Sequence, residues 1–202
     1  MAWDQLAADD VIERTCQALN QNGIATLVVE TAAQAKAKVL EIIPAGAEVM
    51  NVTSTTLDTA GVSPEIQDSG RYESVRKLLF SVSDKESRDT ARRKSGSPEW
   101  VVGSVHAVTE QGHVVVASAT GSQLPPYAYG ATQVIWVVGT QKIVPDMESA
   151  MVRLQDYTFP LEDSRARKAY GMGSGINKLL IVNREIAQGR VTLIFVKEKL
   201  GF

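Results

Sequence analysis

The chain has 202 residues, of which 44% are hydrophobic and 22% charged, with a formal net charge of −2. That composition is globular rather than disordered, and the near balance of 21 basic and 23 acidic residues gives no general attraction to nucleic acid or an anionic membrane. Its one cysteine, Cys16, excludes an intramolecular disulfide, a four-cysteine zinc site and an iron–sulfur cluster ligated by four cysteines of this chain.

The length favours one domain spanning residues 1–202, and a core of this size buries roughly 70% of the unfolded surface without staples. Asp4, Asp9 and Asp10 follow Met1, unlike a secretory signal, and no apolar run approaches the ~18 residues of a membrane span. A cytoplasmic, reduced protein is expected.

Ile12, Cys16 and Leu19 at i, i+4 and i+7 predict an N-terminal helix over about residues 4–21, closed by Asn22-Gly23. Cys16 lies on the apolar stripe, the place of a structural thiol rather than a nucleophile. Ile24–Glu30 is rich in β-branched residues and reads as a buried strand. Thr31 and Gln34 stand in capping-box spacing before Ala35, Val39 and Ile42, and Pro44-Ala45-Gly46 ends that helix. Ala47–Val52 predicts a second strand, after which Thr55 and Asp58 repeat the capping spacing. This alternation argues for parallel strands joined by helical crossovers.

Ser81–Pro98 is polar and reads as a solvated helix face running into a loop at Ser95–Pro98; Arg92-Arg93-Lys94 is read as part of that face, with a phosphate contact as the lesser alternative. Strands are expected at Val101–Val108 and His113–Ser118, around the corner Glu110-Gln111-Gly112, and at Val134–Gly139. Met147, Ala150, Met151 and Leu154 define a further helix, and Tyr157–Tyr170 is read as irregular and helical by turns. Ile176–Asn183 and Val191–Val196 close the chain as strands, with Gly189 in the turn between them.

Ligands of open α/β sheets bind beyond the C-terminal strand ends, which selects loops before any motif is considered. Ser54, Thr55 and Thr56 follow a strand and offer hydroxyls and helix-start amides to an anion, or simply cap the helix. Glu110, in the turn Thr109–Gly112, is a hairpin corner or a carboxylate acting as base or nucleophile. Lys142 follows the strand Val134–Gly139, where a lysine either holds an anionic group or is simply solvated. Gly121-Ser122 and the run Gly171–Gly175, with Gly173 and Ser174, allow close backbone approach. Gly112 completes the ligand-binding set. Glu110 and Lys142 are expected to flank one cleft shared with Ser54–Thr56. His106 and His113 lack a third ligand at metal-binding spacing, so no metal site is expected, and no motif identifies a cofactor.

Taken together, Ser54–Leu57, the segment Ala107–Ser118 (AVTEQGHVVVAS), the LPPYAYG loop, VIWVVGTQKIVPD and the closing RVTLIFVKEKLGF resemble the LUD (lactate utilisation) domain family, of LutC type. GMGSGINKLLIVNRE departs from the LutC pattern. The resemblance implies a fold like the NagB/RpiA/CoA-transferase superfamily: an α/β, mostly parallel sheet with helical crossovers and an antiparallel part. It also implies a role in oxidising L-lactate to pyruvate alongside iron–sulfur partner proteins, the chain itself carrying no cluster. Thr109-Glu110-Gln111-Gly112 is similar to the Ser-Glu-Asn-Gly turn of family I CoA transferases, which makes an acyl or CoA transferase using Glu110 an alternative. A non-catalytic small-molecule sensor is another. The expected ligand is a small anionic metabolite, with no nucleic acid or membrane partner, and a homo-oligomer is compatible with the reading.

Overall fold

The computed structural model describes residues 3–202. Its first part runs α1 (Asp9–Gln21), β1 (Ala25–Val29), α2 (Ala32–Ile42), β2 (Glu48–Asn51), α3 (Thr55–Thr59), α4 (Val62–Asp68), β3 (Glu73–Ser74), α5 (Val75–Ser81) and α6 (Lys85–Gly96). The remainder runs β4 (Trp100–Gly103), β5 (Ala107–Thr109), β6 (Val114–Ser118), β7 (Gln133–Gly139), β8 (Ile143–Val144), α7 (Met147–Arg153), α8 (Phe159–Tyr170), β9 (Lys178–Val182) and β10 (Val191–Val196). None of the described helices is long and apolar enough to cross a membrane.

The strands form two sheets. The larger has six strands in the order β1-β10-β7-β4-β2-β3, all paired in parallel, and the smaller has the order β8-β5-β6-β9 with an antiparallel β5-β6-β9 part. Side chains alternate across the large sheet as the pleat requires. Trp136, Val138, Leu193 and Phe195 join Val108, Val114 and Val116 of the small sheet and Leu19 of α1 in one core. Ile135, Val137, Ile194 and Val196 face the other way, against Val39 of α2, Leu57 of α3 and Ile66 of α4. The far face of the small sheet, Ala107, Val115 and Ala117, packs on Ala150 and Leu154. The layers are therefore helices, large sheet, small sheet, helix. The α/β class, with its mainly parallel sheet and antiparallel part, agrees with the sequence reading.

Local signals account for much of this. Thr31 and Gln34 form the capping box in both directions, Asn22 C-caps α1 and Gly23 turns out of it at φ 79°, and Gly189 turns between the last two strands at φ 76°. Five expectations need correction. The first helix begins at Asp9, not near residue 4, where Asp9 and Asp10 set carboxylates at the positive helix start. The cap of α3 is Ser54 rather than Thr55, its Oγ accepting from the Leu57 amide at 3.4 Å. The strand expected at Ile24–Glu30 lies on the edge of its sheet, leaving Leu27 and Val28 exposed. Tyr157–Tyr170 is regular: α7 passes through a π turn at Leu154–Thr158 into α8. The run Val101–Val108 is not one strand but β4 and β5 in different sheets, broken at Ser104-Val105-His106.

That break rests on close packing. A Cβ on Gly103 would lie 2.7 Å from Val52 Cγ2 and on top of the Tyr127 hydroxyl. Tyr127 is in turn fixed edge-on against Trp136, ring centroids 5.5 Å apart at 90°. Gly103→Ala should therefore lower the unfolding free energy by roughly 1–3 kcal/mol, the usual cost of overpacking, as read from urea midpoints at unchanged slope.

Candidate functional site

Three strands of the large sheet end side by side and deliver polar groups to one place. β2 leads to Ser54–Thr56, β4 to Ser104–His106, and β7 to a 3-10 turn at Thr140–Lys142. These ends, with Phe202, form the floor of a cleft of about 490 Å³. The opposite wall comes from Ser118–Thr120, Ser122 and Gln123 after β6, from Glu162, Arg165 and Tyr170 of α8, and from Gly173–Asn177.

Lys142 is buried at this floor. Its Nζ donates to Thr56 Oγ1 at 3.0 Å, Ser104 Oγ at 3.1 Å and the Val105 carbonyl at 3.1 Å. Burial lowers its pKa to about 7, and the Arg153 charge pushes the same way. Arg153 is fully buried; it donates to the His106 carbonyl and to Thr158 Oγ1 at 2.9 Å, while Nε and Nη2 find no partner among the described residues. Burial lowers its pKa to about 10. The π turn sets Thr158 in reach, in keeping with the frequency of such turns at functional sites. His106 Nδ1 accepts from the Ala117 amide at 3.1 Å, so that nitrogen is unprotonated, and burial, then Lys142, then Arg153 hold the imidazole pKa down at about 3.

No carboxylate answers these charges. Among the described residues neither Lys142 nor Arg153 has a salt bridge. Glu162, the acid of the cleft wall, is held by Arg165 through two 2.7 Å bonds. The Gly173–Asn177 segment is tied down by Asp163, which accepts from the Ser174 amide at 2.8 Å, and by Asn177 donating to the Ala119 carbonyl at 3.1 Å.

The structure brings together Ser54, Thr55, Thr56, Ser122, Lys142, Gly173 and Ser174. Gly121 lies between two lining residues, turned at φ 88° against the Lys178 side chain. Glu110 and Gly112 are elsewhere. The hairpin corner docks on α1: Glu110 Oε2 pairs with Arg14 at 3.0 Å, Asn22 donates to the Gln111 carbonyl at 3.0 Å, and a Cβ on Gly112 would meet the Ala18 backbone at 2.7 Å. The expected shared cleft of Glu110 with Ser54–Thr56, and the expected Glu110–Lys142 flanking pair, are not formed. Sequence reasoning missed Ser104, Arg153 and the Glu162–Arg165 pair, and took His106 only as a rejected metal ligand. The available signal for Ser104 was Gly103-Ser104 interrupting an apolar run.

A family model described as LUD domain matches residues 12–194. Among solved structures, a DUF162 family protein from Deinococcus radiodurans is similar at 10% identity and a TM-score of 0.56, covering 95% of this chain and 99% of that one. Chaetomium thermophilum eIF2B beta aligns at 16% identity over 69% of this chain and 48% of the other, with a TM-score of 0.38, too loose a likeness to define a common fold. No curated protein matches the chain.

The depressed pKa values of His106 and Lys142 contribute to the pH dependence of folding in the acid and the alkaline range respectively. His106 titrates near 6.5 when unfolded and near 3 when folded, so below 6.5 the unfolded chain binds the extra proton and stability falls as pH drops toward 3. Lys142 titrates near 10.5 unfolded and near 7 folded, so stability rises between pH 7 and 10.5, as burial of its charge is relieved. In denaturant titrations at successive pH values, His106→Asn should flatten the acid limb and Lys142→Met the alkaline rise.

Proposed function

The chain belongs to the LUD domain family, and on that premise we propose that its cleft binds a small carboxylate metabolite, L-lactate or pyruvate, in organic-acid utilisation. The observation that carries this reading is Lys142, a buried cation at the polar cleft floor, backed by a second buried cation, Arg153, which holds the carbonyl of the lining residue His106; neither has a salt-bridged acid among the described residues. An unpaired buried charge is costly, and an anion entering the cleft supplies the missing partner. Lys142 acts through its field, since its three hydrogen-bond directions are taken by the protein. The hydroxyls of Ser54, Thr55, Ser122 and Ser174 are among the lining groups suited to direct contact with a carboxylate or hydroxyl.

Oxidation of lactate releases two electrons, and a chain with one cysteine cannot carry a four-cysteine cluster. In this role the electrons leave to a separate redox partner, for which the family resemblance implies iron–sulfur proteins. Glu110, paired with Arg14 on α1, gives no support to an acyl-transfer reading centred on that residue.

A thermal-shift series with L-lactate, pyruvate and the uncharged analogue lactamide tests the proposal. A carboxylate at 100 times its Kd should add about 2.7 kcal/mol of stability, roughly 5–10 °C in Tm for a chain of this size, while lactamide leaves Tm unmoved. Lys142→Met should weaken carboxylate binding about tenfold, equivalent to about 1.4 kcal/mol. Equal shifts with lactamide, or none with either acid, reject the reading.

A further inference from the structure

The surroundings of Lys142 contain an asymmetry that anion binding does not use. A neutral amine has two N–H groups and one lone pair. Of its three neighbours, the Val105 carbonyl can only accept. The Thr56 hydroxyl gives its hydrogen to the Leu200 carbonyl at 3.2 Å, so toward Lys142 it too only accepts. Ser104 differs: its Oγ–H has no other acceptor among the described residues, and it faces Nζ at 3.1 Å. The neutral amine is thus satisfied in one arrangement, with both N–H groups on Thr56 and Val105 and its lone pair on the Ser104 hydroxyl. After the proton moves, the resulting ammonium has an acceptor on each of its three N–H bonds. Both proton positions are accommodated without movement of the chain.

We propose that Ser104 Oγ and Lys142 Nζ form a nucleophile–base pair that hydrolyses esters or thioesters of small organic acids in this cleft. The separation of 3.1 Å lies within the hydrogen-bond reach that a nucleophile and its base require, and serine–lysine pairs are a known variant of such activation. Both residues line the cleft, and Ser104 sits where β4 ends. In the first half-reaction Oγ bonds to the acyl carbon as its proton passes to Nζ and the carbonyl electron pair moves onto oxygen. The adduct collapses, the bond to the alcohol or thiol breaks, and the leaving group takes the proton from Nζ. Water then attacks the acyl-serine, its proton passing to Nζ and on to Ser104 Oγ as the acid leaves. Ester and water become acid and alcohol, with no redox partner. The charge on the acyl oxygen develops in the field of the newly formed ammonium and of Arg153, which holds the His106 carbonyl two residues beyond Ser104. A lysine with pKa about 7 is available as a base at neutral pH.

The test uses the whole chain and a fluorophosphonate probe, which transfers its phosphorus to a nucleophilic hydroxyl as fluoride leaves. Peptide mapping should find the label on Ser104 of the folded chain and none on the heat-unfolded chain. The labelling rate should rise with pH and level off above about 7, where Lys142 is neutral. Lys142→Met should label at least about 100-fold more slowly, the lower range for loss of a general base. Absence of label on Ser104, or a Lys142→Met rate equal to the native one, overturns the proposal. If that variant does not fold, a native labelling rate that stays flat between pH 5 and 9 overturns it equally. Because the probe carries no carboxylate, this outcome is independent of whether lactate or pyruvate binds.

Discussion

A parallel sheet covered on both faces has no place for polar side chains except at its strand ends. Here β2, β4 and β7 are buried on either side, by the small sheet and α1 in one direction and by α2, α3 and α4 in the other. The polar residues that these strands carry therefore collect where the strands stop, at Thr56, Ser104 and Lys142. The same covering layers keep water from the Lys142 amine and lower its affinity for a proton. The chemistry of the cleft is in this sense a by-product of how the sheet is packed.

The repeating features were legible in the sequence because they depend on neighbours in the chain. Short β-branched runs marked β2, β6, β7 and β10, and Thr31 with Gln34 marked the start of α2. Which sheet a strand joins depends on distant contacts, so the separation of β4 from β5 was invisible to a reading of apolar runs. Lys142 and the Ser54–Thr56 loop were found because strand ends are a general site of ligand binding, whatever the family. Arg153 was missed because its burial is decided by α7 packing on the small sheet and by the π turn behind it, neither of which has a local signature. Glu110 was misplaced for a similar reason: its position follows from the docking of a hairpin corner onto α1, 96 residues earlier in the chain.

The buried cations also connect the two proposed activities of the cleft. An anion near Lys142 favours the ammonium, and a neutral ester leaves the amine free. A carboxylate in the cleft thus takes up a proton as it binds, and an ester does not. A cleft of this kind would slow its own hydrolytic step while product remained bound and regain its base when the acid left. The same logic explains why His106, close to two cations, is kept neutral and oriented by the Ala117 amide rather than serving as a third positive charge.

The π turn at Leu154–Thr158 makes one wall of the cleft sensitive to the length of the chain. A π turn is a one-residue excess in an otherwise α-helical path, and each residue of an α-helix advances the direction of its side chain by about 100°. Loss of one residue there would leave α7 and its seat on the small sheet in place but rotate everything downstream. Glu162, Arg165 and Tyr170 would leave the cleft wall together and another face of α8 would replace them. A single-codon deletion is thereby able to exchange one side of the binding surface in one step, while the strand-end floor that carries Ser104 and Lys142 stays as it was.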